Sequence, residues 1–215
     1  MIRHPAAEEI VRQLARAGHQ AVYAGGCVRD AILKRSYPDV DIATSATPDQ
    51  VQALFPKASD PQGKAFGVIR LKLEDHVFEI ATFRVDGPYL DGRRPSSVTF
   101  TTPQEDAQRR DFTVNGMFFD PIQNKVLDFV GGKPDLEAKV IRAIGDPAAR
   151  FTEDRLRLFR AIRFAVQLGF TVETKTWEAM GRLSPESKTL APERVRDELV
   201  KIFTSPDPAR GLDLL

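Results

Sequence analysis

Two glycines before a helix, followed by two aspartates with a single residue between them, constrain this chain more than any other feature. Gly25 and Gly26 stand between His19 to Tyr23, which reads as a short strand, and Val28 to Leu33, which reads as a helix. Glycines at such a junction let backbone N–H groups approach an anion, and the helix N-terminus favours negative charge. Arg29 stands one turn in and offers a charge-assisted contact to a phosphate. Asp39 and Asp41 lie two apart on the next predicted strand, so both carboxylates point to one face. Such a pair suits Mg²⁺ when a triphosphate supplies the remaining ligands. A lone Gly-Gly is usually a turn and a lone Asp-x-Asp usually a solvated loop or helix cap; only the combination is informative.

The rest of the chain falls into two styles. Residues 6–17 read as a helix with Ile10, Val11, Leu14 and Ala15 on one face, and Pro48 opens another to Phe55. The period then changes to two: Ile69, Leu71 and Leu73 alternate with Arg70 and Lys72, and Val77 to Arg84 continues likewise, as paired antiparallel strands do. Phe78 and Ile80 face the core, so Glu79 faces the other side, as a third carboxylate or an exposed strand residue. Val85 to Pro95, with Tyr89, Asp91, Gly92, Arg93 and Arg94, reads as a moving loop longer than a plain hairpin connection. Beyond Pro147 strand signals nearly vanish. The expected organisation is an α/β domain over 1–145 with a mainly antiparallel sheet, then an all-α region over 146–215. The uncapped apolar end, Gly211 to Leu215, reads as a point inside a longer helical protein.

Charge and cysteine usage exclude several classes. Lys and Arg total 31 against 30 Asp and Glu, so no global positive field advertises a nucleic-acid partner and any such partner is gripped by local patches. Cys27 is the single cysteine, which forbids an intrachain disulfide; with no signal peptide, a reducing cytoplasmic setting is expected. Cys27 reads as a small packed residue, since no partner base is evident. His4, His19 and His76 are too scattered for a typical zinc site, and no apolar stretch approaches membrane-spanning length.

Further runs complete a pattern. Arg109-Arg110-Asp111-Phe112-Thr113-Val114-Asn115-Gly116, Glu153-Asp154-Arg155-Leu156-Arg157 with Arg160 to Ala165, and Pro192-Glu193-Arg194-Val195 with Glu198-Leu199 follow the Gly-Gly and Asp-x-Asp motifs. Together these resemble the class II tRNA nucleotidyltransferase and bacterial poly(A) polymerase family, from about residue 20 to 215. Gly116 departs from the family's usual Ala or Ser, and the chain is shorter than members that carry further helical RNA-holding domains.

The resemblance implies a polymerase-β-like nucleotidyltransferase head followed by a helical neck. It implies template-independent addition of C and A to the 3′ end of tRNA, with CTP, ATP and Mg²⁺ and with neither DNA nor a membrane. Asp39 and Asp41 would hold metal, and Glu79 would assist them or deprotonate the RNA 3′-hydroxyl. Gly25, Gly26, Arg29, Arg110 and Asn115 would bind nucleotide, and Asp111 would accept from the ribose 2′-hydroxyl. In the helix expected from Phe151, Asp154 and Arg157 are three apart, either as an intrahelical salt bridge or as a protein template for a base. An Asp accepts from the exocyclic amine of cytosine or adenine while an Arg donates to the adjacent ring nitrogen; uracil and guanine oppose both contacts. Arg160 and Arg163 would reach the triphosphate. The 85–95 loop leans toward CCA or A addition. The alternatives are a poly(A) polymerase or A-adding tRNA nucleotidyltransferase, which share the head motifs, and a catalytically silent RNA- or nucleotide-binding module, against which the intact aspartate pair argues.

Overall fold

The computed structural model describes residues 2–37, 39–56, 59–60, 63–73, 76–89, 92 and 95–215. They form two compact units: Met1–Gly87, Ser97–Arg110 and Asn115–Val130 make the first, and Pro88–Ser96, Asp111–Val114 and Gly131–Leu215 the second.

The first unit opens with α1 (Pro5–Arg16), where His4 caps the helix by accepting the Ala7 N–H on Nδ1 and Pro5 takes the first helical position. There follow β1 (Ala21–Ala24), α2 (Gly26–Ile32), β2 (Asp41–Thr44), α3 (Pro48–Leu54) and β3 (Ser59–Asp60). Next come β4 (Val68–Leu73), β5 (His76–Thr82), β6 (Arg84–Asp86), β7 (Val98–Phe100), α4 (Pro103–Gln108), β8 (Phe118–Asp120) and β9 (Lys125–Leu127). Seven strands form one sheet in the order β3-β4-β5-β2-β1-β8-β9, with β2 and β5 the parallel pair and the other neighbours antiparallel.

The period of two is realised in β4 and β5. Ile69, Leu71, Phe78, Ile80 and Thr82 are buried, while Arg70, Lys72 and Glu79 are exposed. Helix α1 packs on β1 and β2, and α3 on β4. Strand β1 is buried along its whole length, because Val22 and Ala24 join Ala43, Phe83, Ala107 and Phe118 in a separate cluster. That two-sided burial explains its uninterrupted apolar run.

The stretch from Val85 expected as a long moving loop is partly strand: β6 pairs with β7, and Tyr89 bridges Pro95. Alternating Arg84, Val85 and Asp86 conceal this strand behind polar residues. Asp91, Arg93 and Arg94 lie outside the described residues.

The second unit holds α5 (Gly132–Ala138), β10 (Val140–Ile141), α6 (Pro147–Glu153), α7 (Leu156–Leu168), β11 (Thr171–Val172), α8 (Thr174–Leu183), α9 (Pro192–Phe203) and α10 (Pro208–Leu214). Its continuous stretch begins at Gly131, ahead of the change of style near 145, and there β10 pairs in parallel with β11 and ties residues 140–141 to 171–172. Helix α7 packs on α9, and α10 on both. A Cβ at Gly211 would come 2.5 Å from Ile202 Cγ2, so glycine permits the close approach of α10 to α9.

The single helix expected from Phe151 is two. Asp154 is extended (φ −143°, ψ 104°) between α6 and α7, and its Oδ1 accepts the Leu156 N–H at 3.1 Å. A short acceptor that bonds nearby backbone competes with the helix ladder, which is why the chain breaks there. Among the described residues no helix is long and apolar enough to cross a membrane.

Candidate active site

In the first unit, one row of side chains crosses the sheet. Asp41 pairs with Ala24, and Ala24 with Phe118; Glu79 lies one step before the Ile42–Ile80 pair of the parallel ladder, beside Asp41. Cross-strand partners share a face, so Glu79, Asp41, Ala24 and Phe118 line up. Asp39 does not stand on β2 as expected: the strand starts at Asp41, and Asp39 occupies the irregular segment before it. Its charge nevertheless acts on Asp41.

Asp41 keeps contact with solvent, yet protein atoms around it strip part of its hydration. That loss, with the charges of Glu79 and Asp39, holds its carboxyl above the usual range, and Arg110 acts in the opposite sense. Crowded hard carboxylates are the donor set that a divalent ion such as Mg²⁺ takes, and binding one relieves the like-charge repulsion. Among the described residues no three His, Cys, Asp or Glu side chains converge to hold an ion unaided. Glu79 is tied through Oε1 to Arg70 on β4, at 3.2 Å from Nε and 3.1 Å from NH2. Cys27 is buried, its thiol pushed up to about 11 by burial and by Asp41, so it stays a packed thiol at neutral pH.

Gly25 caps α2 with φ +72°, a left-handed conformation that favours glycine, and a Cβ there would stand 3.4 Å from Arg110 NH1. Arg29 is buried and locked: Nε and NH2 donate to Asp30 at 2.9 and 2.7 Å, and NH1 donates to Asn115 Oδ1 at 2.6 Å. Its guanidinium therefore frames the glycine turn and is less available to a phosphate than its spacing suggested. Arg110 donates from Nε and NH2 to Asp106 Oδ2 at 3.2 and 3.0 Å and lies 4.8 Å over the Phe118 ring. It thus stands at the end of the carboxylate row.

In the second unit, Asp111 is buried and its partner is Arg160, not Arg110. Oδ2 accepts from Arg160 Nε at 2.8 Å and from NH2, and Oδ1 accepts the Phe112 N–H at 2.8 Å. Both oxygens are engaged, so the 2′-hydroxyl role implied for Asp111 meets acceptors already in use. Asp154 binds Arg194 on α9 (Oδ1–NH1 3.2 Å, Oδ2–NH2 2.9 Å), and Arg157 binds Glu153 Oε2 at 2.6 Å and the Arg150 carbonyl at 2.9 Å. The Asp154–Arg157 salt bridge open to the sequence does not form, because the break at Asp154 takes the two side chains to different partners. Arg163, offered by its spacing to a triphosphate, is paired with Glu198 on α9 and lies 3.9 Å over Phe164.

Residues 21–142, more than half of the chain, match the family model of the poly(A) polymerase head domain. The chain belongs to the poly(A) polymerase head-domain family. Residues 169–215 match a second model, the probable RNA and SrmB-binding site of polymerase A. The CCA-adding enzyme of Bacillus subtilis (strain 168) is 47% identical over 207 residues, 96% of this chain and 52% of that enzyme. A crystal structure of the Bacillus stearothermophilus CCA-adding enzyme in complex with CTP superposes with a TM-score of 0.90 at 36% identity, covering 99% of this chain and 52% of that one. A CCA-adding enzyme in complex with ATP gives a TM-score of 0.80 at 25% identity, covering 98% and 50%. The chain spans about half the length of the curated relatives it matches. Its fold is the expected nucleotidyltransferase head with a mainly antiparallel sheet, followed by helices.

For this member of the poly(A) polymerase head-domain family, the motifs give no partner to the residues that hold their arginines and acids in place: Asp106, Glu153, Arg194 and Glu198. Their only sequence signal was position within or just before the motifs.

The Asp111–Arg160 pair makes one prediction here. Burial alone raises the Asp111 pKa, but the charge and hydrogen bonds of Arg160 and the Phe112 N–H outweigh it and hold the carboxyl at about 2. An unfolded Asp titrates near 4, so ionised Asp111 stabilises the native state above about pH 4, and this contribution is lost as pH falls toward 2. Asp111→Asn is expected to cost about 2 kcal/mol at neutral pH and to flatten the acid loss of stability in that window. Thermal unfolding between pH 2 and 7 checks this; an unchanged pH slope in the variant would remove the pair from the acid transition.

Proposed function

We propose that this chain is the nucleotide-adding part of an enzyme that adds C and A to the 3′ end of tRNA, using CTP and ATP with Mg²⁺. The observation that carries it is the row of Glu79, Asp41, Ala24 and Phe118 ending under Arg110, with the Gly25 turn beside the same guanidinium. The CCA-adding relatives, with CTP or ATP bound in two of the structures, support the choice of nucleotides.

In this reading residues 1–145 are the nucleotidyltransferase head and 146–215 the nucleotide-recognition neck. Asp39 and Asp41 hold Mg²⁺, which neutralises triphosphate charge and eases loss of the RNA 3′-hydroxyl proton when bound. Glu79, with its Oε1 tied to Arg70, adds negative charge beside Asp41 and is the candidate to take that proton. The Gly25-Gly26 turn and Arg110 bind phosphate, with Arg29 and Asn115 framing the turn. In the second unit Asp154 accepts from the exocyclic amine of C or A and Arg157 donates to the ring nitrogen beside it. Arg160, anchored by Asp111, adds positive charge for the nucleotide, while Arg163 and Glu198 join α7 to α9.

The test is extension of a tRNA lacking its CCA end by the full-length protein, with each NTP alone and with CTP plus ATP, beside an unstructured RNA. Addition of C and then A to tRNA is expected. A-only addition to tRNA, or long A tracts on unstructured RNA, would overturn it in favour of the A-adding or poly(A) reading. Nucleotide binding without incorporation would leave a silent module.

A further inference from the structure

Asp106 belongs to no motif that points to nucleotide chemistry, yet it is a deeply buried carboxylate at the edge of the candidate site. Only 1% of its surface is exposed. Oδ1 accepts the Arg84 N–H at 3.1 Å and Arg109 Nε at 2.9 Å, and Oδ2 accepts from Arg110 Nε and NH2 at 3.2 and 3.0 Å. A buried carboxylate is unfavourable unless charged partners surround it, and two guanidiniums do so here. Burial raises its pKa, but Arg110 and Arg109 outweigh that and keep it an anion at neutral pH.

The contact on Arg110 is one-sided. The edge carrying Nε and NH2 faces Asp106, while NH1 stands 3.4 Å from where a Gly25 Cβ would be. Stacking on Phe118, with the guanidinium carbon 4.8 Å from the ring centroid, fixes the plane of the group. A positive-φ glycine at a turn with a guanidinium nitrogen at its rim is an arrangement suited to a phosphate.

We propose that Asp106 is a positioning residue for nucleotide binding: it holds Arg110 so that NH1 meets a phosphate at the Gly25-Gly26 turn. The inference rests on the nucleotide site proposed above.

The experiment uses the full-length protein in wild-type form and as Asp106→Asn, Arg110→Ala, Arg110→Lys and the Asp106→Asn/Arg110→Ala double variant. It measures kcat and KM for CTP on a tRNA lacking CCA, the calorimetric Kd for CTP, and thermal unfolding. Asp106→Asn is expected to raise KM and Kd by about tenfold with a smaller change in kcat, the equivalent of one charge-assisted hydrogen bond. Arg110→Ala should do at least as much, and the double variant should match Arg110→Ala, since Asp106 acts through the arginine. Arg110→Lys keeps Asp106 intact but has a single nitrogen, which cannot both bind Asp106 and reach the turn; it too should raise KM, and it carries the test if Asp106→Asn does not fold. A lowered Tm with unchanged KM in Asp106→Asn, multiplied single effects in the double variant, or wild-type binding by Arg110→Lys would each overturn the inference. A wild-type protein that neither binds CTP nor extends tRNA would instead overturn the reading on which it rests.

Discussion

Asp41→Ala is expected to abolish nucleotide addition by the full-length protein while leaving it as stable as the wild type or more so. Asp41 sits beside Glu79 and near Asp39, with part of its hydration lost, and Arg110 is the one cation among the charges that chiefly set its titration. Three like charges so placed work against the fold, and a chain retains them only where a ligand cation uses them. Loss of one metal-holding carboxylate removes several kcal/mol of charge stabilisation, a fall in kcat of about 10³-fold or more. Removing the same carboxylate also removes repulsion, so Tm should hold or rise. Asp39→Ala should cut turnover comparably with a smaller effect on Tm, since Asp39 is exposed and lies outside β2. The measurement pairs thermal unfolding with single-nucleotide extension of a CCA-less tRNA in Mg²⁺. Near-normal turnover by either variant would remove these residues from the metal role; a large loss of Tm in Asp41→Ala would mean that the carboxylate is part of the fold.

What could be read from the sequence was local. The Gly25-Gly26 turn, the alternation in β4 and β5 and the exposure of Glu79 each follow from neighbouring residues, and each is where it was expected. What could not be read was partnership over distance. Arg29 meets Asn115 86 residues on, Asp111 meets Arg160 49 residues on, and Arg163 meets Glu198 35 residues on. A sequence shows that an arginine is charged but not which side chain will lie beside it in the fold. The break at Asp154 was hidden for a different reason: the buried residues Phe151, Leu156 and Leu158 on either side keep apolar periodicity running through it. The signal that exposes it is Asp itself, a poor helix former that bonds its own backbone.

That break decides how the base-reading pair will respond to inversion. Exchanging the two charges, Asp154→Arg with Arg157→Asp, presents donor then acceptor, the order that matches O4 and N3–H of uracil and O6 and N1–H of guanine. The exchange also sets an arginine at 154 against Arg194 and an aspartate at 157 against Glu153, in place of two ion pairs. The double variant is therefore expected to lose about 10²–10³-fold in kcat/KM with CTP and ATP and to gain little with UTP or GTP, because like charges now push both side chains from their positions. Adding Arg194→Glu and Glu153→Arg restores an opposite charge beside residues 154 and 157, with the Arg150–Glu153 pair given up. The quadruple variant should recover rate and prefer UTP or GTP over CTP and ATP, since each charge-assisted contact with a base edge contributes about 1.5–3 kcal/mol. Relative kcat/KM for the four nucleotides on a CCA-less tRNA reads the outcome. If the quadruple variant folds, adds nucleotides and keeps the preference for C and A, then Asp154 and Arg157 only pin α7 to α9 and α6, and the base is read elsewhere.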